Sequence, residues 1–239
     1  MNIIKERIKK EKFSPGFIGF FINHNFLIRT SLNKSIKKNA NRLSGELLDF
    51  GCGSKPYKEL FLNVKNYIGV DLKIEGREGN HKFIDKFYDG KVIPFEDNSF
   101  DSLLCTEVLE HVFNIEELLK EFNRVLKKDG VALITTPFMW EEHEMPYDFG
   151  RYTTPALEYL YKKHGFVIVE NFKTGNSVKV IFQFILNYFK SILPKHKILR
   201  QILLIPFIVI INFLGILFGT IMPLDQTTYF NNVFIIKKI

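Results

Sequence analysis

The chain has 239 residues, enough for one large domain or for one domain with an appendage. Its 33 Lys and Arg against 26 Asp and Glu give a net charge of +7. Binding to nucleic acid, binding to an anionic membrane surface, or a need for solubility alone would each explain this charge. Two cysteines, Cys52 and Cys105, are too few for a disulfide framework, so we expect a reducing, cytoplasmic setting.

Residues 1–43 predict an N-terminal helical segment. Residues 3–10 have the pattern of a short basic amphipathic helix, and residues 25–42 predict a second helix that covers the entrance to the core. Lysines are concentrated here and beside an apolar stretch near the C-terminus. This distribution favours a membrane surface over an RNA groove, and a merely solvated basic face is the alternative.

From Gly45 onward, apolar runs alternate with helical patterns, which is typical of a parallel sheet covered by helices on both faces. The predicted strands are short runs rich in apolar residues: 46–50, a second ending at Asp71, a short third near 82–84, then 100–105, 131–135, 166–169 and 233–236. The alternation therefore predicts an α/β domain.

Residues 114–128 carry the clearest helical pattern of this region. Asn114 would cap the helix and Glu117 would complete a capping box, while Gly130 would stop it. A later helix is predicted to open at Thr154, which a proline follows.

A glycine-rich turn after the first predicted strand indicates a ligand site. Residues 48–53, LDFGCG, pass from an apolar run through an acid into a turn whose glycines would let a ligand lie against the backbone. Asp71 ends the second strand 22 residues after Asp49. In dinucleotide-binding folds an acid at about this distance binds ribose hydroxyls.

Residues 47–170 resemble a class I S-adenosylmethionine-dependent methyltransferase of the group often called type 11. The matching pieces follow one another in order: LDFGCG at 48–53, VD at 70–71, DGKVIPF at 89–95 with NSFD at 98–101, TEVLEHV at 106–112, and RVLKKDG at 124–130. Residues 138–140 and 143–153 make the chain similar to methyltransferases of surface-polysaccharide assembly.

The resemblance implies a Rossmann-like fold with a seven-stranded, mostly parallel sheet and helices on both faces. An apolar stretch near the C-terminus adds a predicted hydrophobic helical insertion before the last strand. It also implies S-adenosyl-L-methionine as the cofactor. The implied cofactor-binding residues are Asp49, Gly51, Cys52, Gly53, Asp71, Asp89, Cys105 and Thr106. In this pattern Asp71 would accept from both ribose hydroxyls and Asp89 would accept from the adenine amine. Lys55 stands where many relatives have a third glycine, and would either meet the cofactor's carboxylate or remain solvated.

Transfer of a methyl group to a hydroxyl requires a base, because the hydroxyl loses its proton. We expect His111 or His143 to serve, with Glu110 orienting His111 or contacting substrate; the alternative is that His111 only packs beside the cofactor. Glu107, Glu110 and His111, spaced for one helical face, also resemble the metal-binding set of small-RNA 3′-end and quinone-biosynthesis methyltransferases, with His143 as fourth ligand. We expect the site to work without a metal.

The segment 137–153 mixes aromatic rings with carboxylates, a combination that suits sugars. We therefore expect a glycan or a lipid-linked saccharide as acceptor, unless the segment is only a lid packed on the core. The alternatives are a quinone or another lipid as acceptor, and a non-catalytic cofactor-binding protein that associates with a membrane. RNA is a further alternative, although we expect no nucleic-acid partner.

Residues 201–224 carry no charge over 24 positions, long enough for a membrane-spanning helix. A single crossing would separate the last strand from its sheet, so we expect the insertion to lie in, or dip into, the cytoplasmic leaflet and return. Pro206 and later Gly and Pro residues predict a bent or broken helix; a hydrophobic cap on the domain or in a dimer interface is the alternative.

The predicted organisation has four parts: an N-terminal helical segment at 1–43, a methyltransferase domain at 44–177, the insertion at 178–224, and the final strand at 225–239. We expect a cytoplasmic protein peripheral to the inner face of the membrane.

Overall fold

The computed structural model describes residues 10–73 and 82–239. The helix predicted at 3–10 lies almost wholly outside these residues. The strands are β1 Gly45–Phe50, β2 Val64–Leu72, β3 Lys86–Tyr88, β4 Phe100–Thr106, β5 Leu126–Pro137, β6 Phe166–Lys173 and β7 Asn231–Lys238. The α-helices are α1 Phe17–Ile22, α2 Phe26–Asn39, α3 Ile115–Val125, α4 Thr154–Lys163, α5 Ser177–Ile192 and α6 Lys197–Ile221. Short 3₁₀ turns lie at Ala40–Arg42, Lys58–Leu60 and Leu109–His111.

The seven strands form one sheet in the order β3-β2-β1-β4-β5-β7-β6. Strands β1 to β5 pair in parallel with their neighbours, and β7 runs antiparallel to β5. The strand order reverses its direction between β1 and β4, which in such sheets marks the crevice where ligands bind. The predicted Rossmann-like fold, with a seven-stranded sheet and an apolar helix before the last strand, is confirmed.

The core forms because the strands and α3 bury matching apolar sets. Leu48 and Phe50 of β1 pack in one cluster with Phe122 of α3 and Phe234 of β7. The stripe on α3 recurs every three or four residues, as the sequence predicts: Ile115, Leu118, Leu119, Phe122 and Val125 are all buried.

Three sequence expectations about element boundaries are wrong. The third strand lies at Lys86–Tyr88, and residues 82–84 precede it. Helix α3 ends at Val125, because the N–H groups of Asn98 and Ser99 donate to its last carbonyls and draw the chain directly into β5. The Asn114 side chain does not cap α3; its amide bonds the Glu117 carboxylate.

Helix α4 begins at Thr154, where the sequence predicts a helix to open. Thr153 caps the helix by accepting a hydrogen bond from the N–H of Ala156 at 3.4 Å, so that Thr154 is already helical.

The chain divides into two compact units, which we describe separately. The helical unit comprises Met1–Ile36 and Lys173–Phe230; the sheet unit comprises Lys37–Phe172 and Asn231–Ile239. The helical unit contains α1, most of α2, α5 and α6, whereas all seven strands and the residues of the predicted site belong to the sheet unit.

Within the helical unit, α5 and α6 pack against each other through Leu186, Leu204, Ile208 and Ile211. Helix α6 runs without interruption from Lys197 to Ile221 with Pro206 inside it, so the predicted break does not occur. Among the described residues α6 alone is long and apolar enough to cross a membrane, judged by length and composition.

Candidate functional site

The candidate site lies where the parallel strands end. The carboxyl ends of β1, β2 and β4 meet at one edge of the sheet because Phe50 pairs in register with both Val70 and Cys105. Residues that follow these strands are therefore brought together, although they are far apart in the sequence.

The turn after β1 is built on glycine. Gly51 has φ 71° and Gly53 has φ 50°, a backbone region that favours residues without a Cβ. A Cβ on Gly51 would lie 2.3 Å from Val108, whereas one on Gly53 would meet no atom within 4 Å. Gly51 is thus required by packing, and Gly53 borders open space.

Asp49 lies inside β1 and is almost completely buried. Its Oδ2 accepts a hydrogen bond of 2.6 Å from the hydroxyl of Tyr67 on β2. Burial raises the pKa of Asp49 to about 7, and the Tyr67 hydrogen bond and Lys55 only partly oppose this.

Asp71 is the penultimate residue of β2, and Asp89 directly follows β3. Oδ2 of Asp71 accepts from the N–H of Gly53 at 2.8 Å, which ties the glycine turn to the end of β2. Asp89 is exposed beyond β3, where Oδ1 accepts from the N–H groups of Lys91 and Val92. Both acids stand at the edge where the ligand was predicted.

The cysteines do not face this edge with their side chains. Cys105 belongs to the hydrophobic core, and the side chain of Cys52 is buried beside Gly69. Only their backbones lie at the turn and at the end of β4, next to the half-buried Thr106. Because the Cys105 thiol is buried in the core, Cys105 could contact the predicted cofactor only through its backbone.

Lys55 is neither solvated nor unpaired. Its ammonium forms an ion pair with Asp85, and its side chain is 9% exposed. Asp85 also accepts from the N–H of Gly69, so the lysine connects the glycine turn to the segment before β3.

Beyond β4, Glu110, His111 and His143 form a cluster. Nε2 of His111 lies 3.7 Å and Nε2 of His143 lies 3.9 Å from Oε1 of Glu110, and the imidazole centroids are 4.8 Å apart. Glu110 is fully buried, and neither carboxylate oxygen has a hydrogen-bond partner among the described residues. Burial, followed by the nearby Glu107, raises the pKa of Glu110 well above its usual value.

The outer nitrogens of both imidazoles are held in place. Nδ1 of His111 lies 2.6 Å from the carbonyl oxygen of Tyr147 and therefore donates to it. Nδ1 of His143 lies 3.3 Å from Oδ2 of Asp148. Because both Nδ1 atoms face acceptors, the protonated Nδ1 tautomer leaves each Nε2 with its lone pair toward Glu110.

Glu107 does not join this cluster. Leu109–His111 forms a 3₁₀ turn and Glu107 precedes it with a left-handed backbone, so the predicted helical face is absent. The Glu107 carboxylate instead accepts from Thr135 at 2.8 Å and from Asn231 at 2.7 Å.

Sequence reasoning missed Asp148 and Arg151 as positioning residues. Arg151 donates to both oxygens of Asp148 at 2.6 and 2.8 Å and lowers the pKa of that carboxyl. The charged Asp148 then faces the ring of His143. The i, i+3 pairing of an acid with an arginine inside the aromatic segment was the available signal.

Exposed aromatic rings surround the two histidines. Phe149 donates its N–H to the carbonyl of Glu110 and packs edge-on against Phe113 at 5.5 Å. Tyr147 is also exposed, and Glu144 approaches His111 to 4.0 Å. The segments that hold the imidazoles thus carry exposed aromatic residues and the exposed Glu144.

Comparisons with known proteins agree with this architecture. The family model described as a methyltransferase domain matches residues 25–174, more than half of the chain. An uncharacterized protein of Methanocaldococcus jannaschii is 27% identical over 165 residues, which are 65% of this chain and 70% of that protein.

Two named enzymes match with lower coverage of their own length. The mitochondrial ubiquinone biosynthesis O-methyltransferase of Bos taurus is 32% identical over 108 residues, 39% of this chain and 29% of that enzyme. Phosphoethanolamine N-methyltransferase 2 of Haemonchus contortus, solved in complex with S-adenosyl-L-methionine, superposes with a TM-score of 0.54 at 18% identity over 97% of this chain and 59% of that one. The chain therefore spans under two thirds of both enzymes. The family match and the fold together make this chain a member of the methyltransferase domain family, a class I enzyme with S-adenosylmethionine as its cofactor.

Proposed function

We propose that this methyltransferase methylates a hydroxyl of a glycan or a lipid-linked saccharide, with His111 or His143 as the base. The observation that carries the proposal is the pair of converging Nε2 atoms inside a rim of exposed rings and carboxylates. Aromatic rings cover the C–H faces of sugars, and carboxylates accept from their hydroxyls.

The residues at the sheet edge fit the cofactor. Open space beside Gly53 admits a ligand to the backbone, and the carboxylates of Asp71 and Asp89 supply acceptors for ribose and adenine. S-adenosylmethionine, when bound, supplies a methyl group on a sulfonium that is already activated. The protein's task is therefore mainly to align the acceptor.

His143 has the properties of a base. Burial, followed by the neighbouring His111, lowers its pKa, so the neutral imidazole is favoured at physiological pH. Asp148 holds Nδ1–H, and the hydroxyl proton passes to Nε2. Burial raises the pKa of Glu110, and its Oε1 lies 3.7 Å from Nε2 of His111 and 3.9 Å from Nε2 of His143.

A direct test is an acceptor panel. The purified chain is incubated with S-adenosylmethionine and either lipid-linked saccharides, free glycans, demethylated quinols or RNA, and products are identified by mass spectrometry. Methylated saccharide supports the proposal; a methylated quinol alone, or RNA alone, overturns it.

We expect His143→Ala or His111→Ala to lower turnover by about 10²–10⁴, the range for loss of a general base. Cofactor affinity should stay unchanged, as calorimetric titration would show, because neither ring belongs to the cofactor edge. His164→Ala is the control, since this histidine belongs to the same unit but pairs with Glu116. Unchanged turnover in both variants would exclude a histidine base.

A quinone or another lipid is the second candidate acceptor. It is favoured by the likeness to proteins named as ubiquinone biosynthesis O-methyltransferases. The same panel separates it from the saccharide.

A divalent cation is a second candidate for activating the hydroxyl. The ligand atoms of Glu110, His111 and His143 lie within 4.8 Å of one another, and both Glu110 oxygens lack partners among the described residues. Such a cation would lower the pKa of a bound hydroxyl. Activity that survives dialysis against a chelator rejects this candidate; loss restored by added Mg²⁺, Mn²⁺ or Zn²⁺ supports it over a metal-free base.

We also propose that the chain works at the inner face of a membrane, where a lipid-linked acceptor would be anchored. The uncharged run of α6 supports this location. Cell fractionation with an alkaline-carbonate wash tests it: recovery in the cytosolic fraction alone would contradict it.

A further inference from the structure

The positive charge of this chain belongs to one unit. Residues 1–36 and 173–230 contain 13 Lys and Arg against three Asp and Glu, whereas the sheet unit contains 20 against 23. No acidic residue occurs between Glu170 and Asp225. The helical unit alone therefore accounts for the basic character of the protein.

The same unit exposes large apolar side chains. On α5 an exposed stripe recurs at helical spacing through Ile181, Ile185, Tyr188 and Ile192. On α6 the exposed positions include Ile202, Ile210, Phe213 and Ile221, the last with 65% of its surface exposed. Exposed large apolar side chains in this number favour a contact with a membrane or another protein.

Helix α1 is fixed to this pair of helices by side-chain amides. Asn212 donates to the carbonyl of Phe20 at 2.9 Å, and Gln201 donates to the carbonyl of Ile22 at 3.0 Å. Both donors lie on α6, so α1 lies alongside it. Phe17, 82% exposed, extends the apolar surface beyond α6.

The position of Glu11 argues against a membrane crossing by α6. Its Oε2 accepts from the N–H of Gly16 at 2.6 Å and of Gly19 at 2.8 Å. A carboxylate therefore lies within about one helical turn of the Phe20 carbonyl that binds Asn212, in the second half of α6. A spanning α6 would carry this charge into the hydrocarbon, which is costly.

Basic residues lie beside the same helices. The pKa of His24 is lowered to about 4. Burial is the main cause, and the nearby positive charges of Lys190, Arg200, Lys12 and Arg29 add to it. Lys195 is exposed in the connection between α5 and α6, and Lys197 is exposed as the first residue of α6. Positive potential and apolar surface thus occur together, as at proteins that bind anionic membrane surfaces.

We propose that the helical unit binds flat on an anionic phospholipid leaflet, with the exposed faces of α1, α5 and α6 at the headgroup–acyl boundary and the basic residues on the headgroups. This deepens the proposed membrane location and identifies the partner as anionic lipid. Charge complementarity selects a lipid surface over a second copy of the chain, because two copies would bring +10 against +10.

The test is flotation of the full chain with vesicles of phosphatidylcholine alone or with roughly 30% phosphatidylglycerol, an anionic lipid that attracts basic residues. We expect binding to the anionic vesicles. The triple variant Lys195→Gln, Lys197→Gln, Arg200→Gln should weaken binding about 100-fold, and high salt should do the same. The matched control Lys120→Gln, Lys128→Gln, Lys162→Gln removes equal charge from exposed positions of the sheet unit and should bind like the parent.

A second variant tests the apolar contribution. Ile210→Ser with Phe213→Ser should weaken vesicle binding at least tenfold, whereas Val167→Ser with Val169→Ser, on exposed positions of β6, should not. Equal binding to both vesicle types overturns the proposal. A dimer that does not bind vesicles, and that the Ile210→Ser, Phe213→Ser variant dissociates, overturns it too. The proposal is also overturned if tags at the two ends of α6 are found on opposite sides of the vesicle membrane. Circular dichroism checks that every variant keeps its helical content, and none of these readouts needs methyl transfer.

Discussion

At the scale of single residues, three acids that lie at or just beyond the ends of neighbouring strands have different environments. Asp49 is buried, Asp71 is bonded to the glycine turn, and Asp89 is exposed. The sequence presents all three as equivalent acids at strand ends. Their surroundings decide which of the three acids has a raised pKa, and that acid is the buried Asp49.

Asp49→Asn should change how stability depends on pH. The folded-state pKa of about 7 lies above the unfolded value of 3.8, so the stabilising contribution of Asp49 is complete below pH 3.8 and is lost as the pH rises through 7. Between pH 5 and pH 8, the parent should lose roughly 2 kcal/mol of unfolding free energy relative to the variant. Denaturant unfolding of the cofactor-free proteins measures this difference; parallel pH profiles would contradict the assignment. The variant retains an oxygen for the Tyr67 hydroxyl, so packing is matched.

At the scale of elements, the turn after β1 combines two glycines with separate duties. Gly51 must approach Val108, and Gly53 must leave space at the ligand edge while its N–H binds Asp71. The turn therefore joins the packing of the domain to its ligand site over three residues.

Substitution of the two glycines should separate stability from binding. Gly51→Ala should cost about 2 kcal/mol or more in unfolding free energy, because the new Cβ overlaps Val108 in a left-handed backbone. Gly53→Ala should cost only about 1 kcal/mol in stability, since its Cβ meets no protein atom. The larger effect of Gly53→Ala should be a loss of cofactor affinity of at least about tenfold. Denaturant unfolding and calorimetry give the two readouts, and equal stability losses would refute the distinction.

At the scale of the whole molecule, chemistry and basic charge belong to different units. Every residue of the candidate site lies in the sheet unit, and the excess of positive charge lies in the helical unit. We therefore expect each unit to respond to its own ligand.

Hydrogen exchange should show these separate responses. S-adenosylmethionine should slow exchange in peptides that cover residues 45–54 and 69–72, because ligand binding stabilises the native state that holds the site. The same ligand should leave Lys197–Ile221 unchanged. Anionic vesicles should protect the exposed faces of that helix instead. Protection of both segments by the cofactor alone would contradict the separation.

The sequence by itself determined the α/β class, the long apolar segment and the glycine turn, because periodicity, composition and local motifs are written along neighbouring positions. The tertiary structure alone decided that Glu107 bonds Thr135 and Asn231 instead of joining Glu110 and His111. It also set Asp148 against His143, and ended α3 at Val125 through the N–H groups of residues 98 and 99. These outcomes depend on contacts between strands and loops that are distant in the chain, and such contacts leave no local pattern in the sequence.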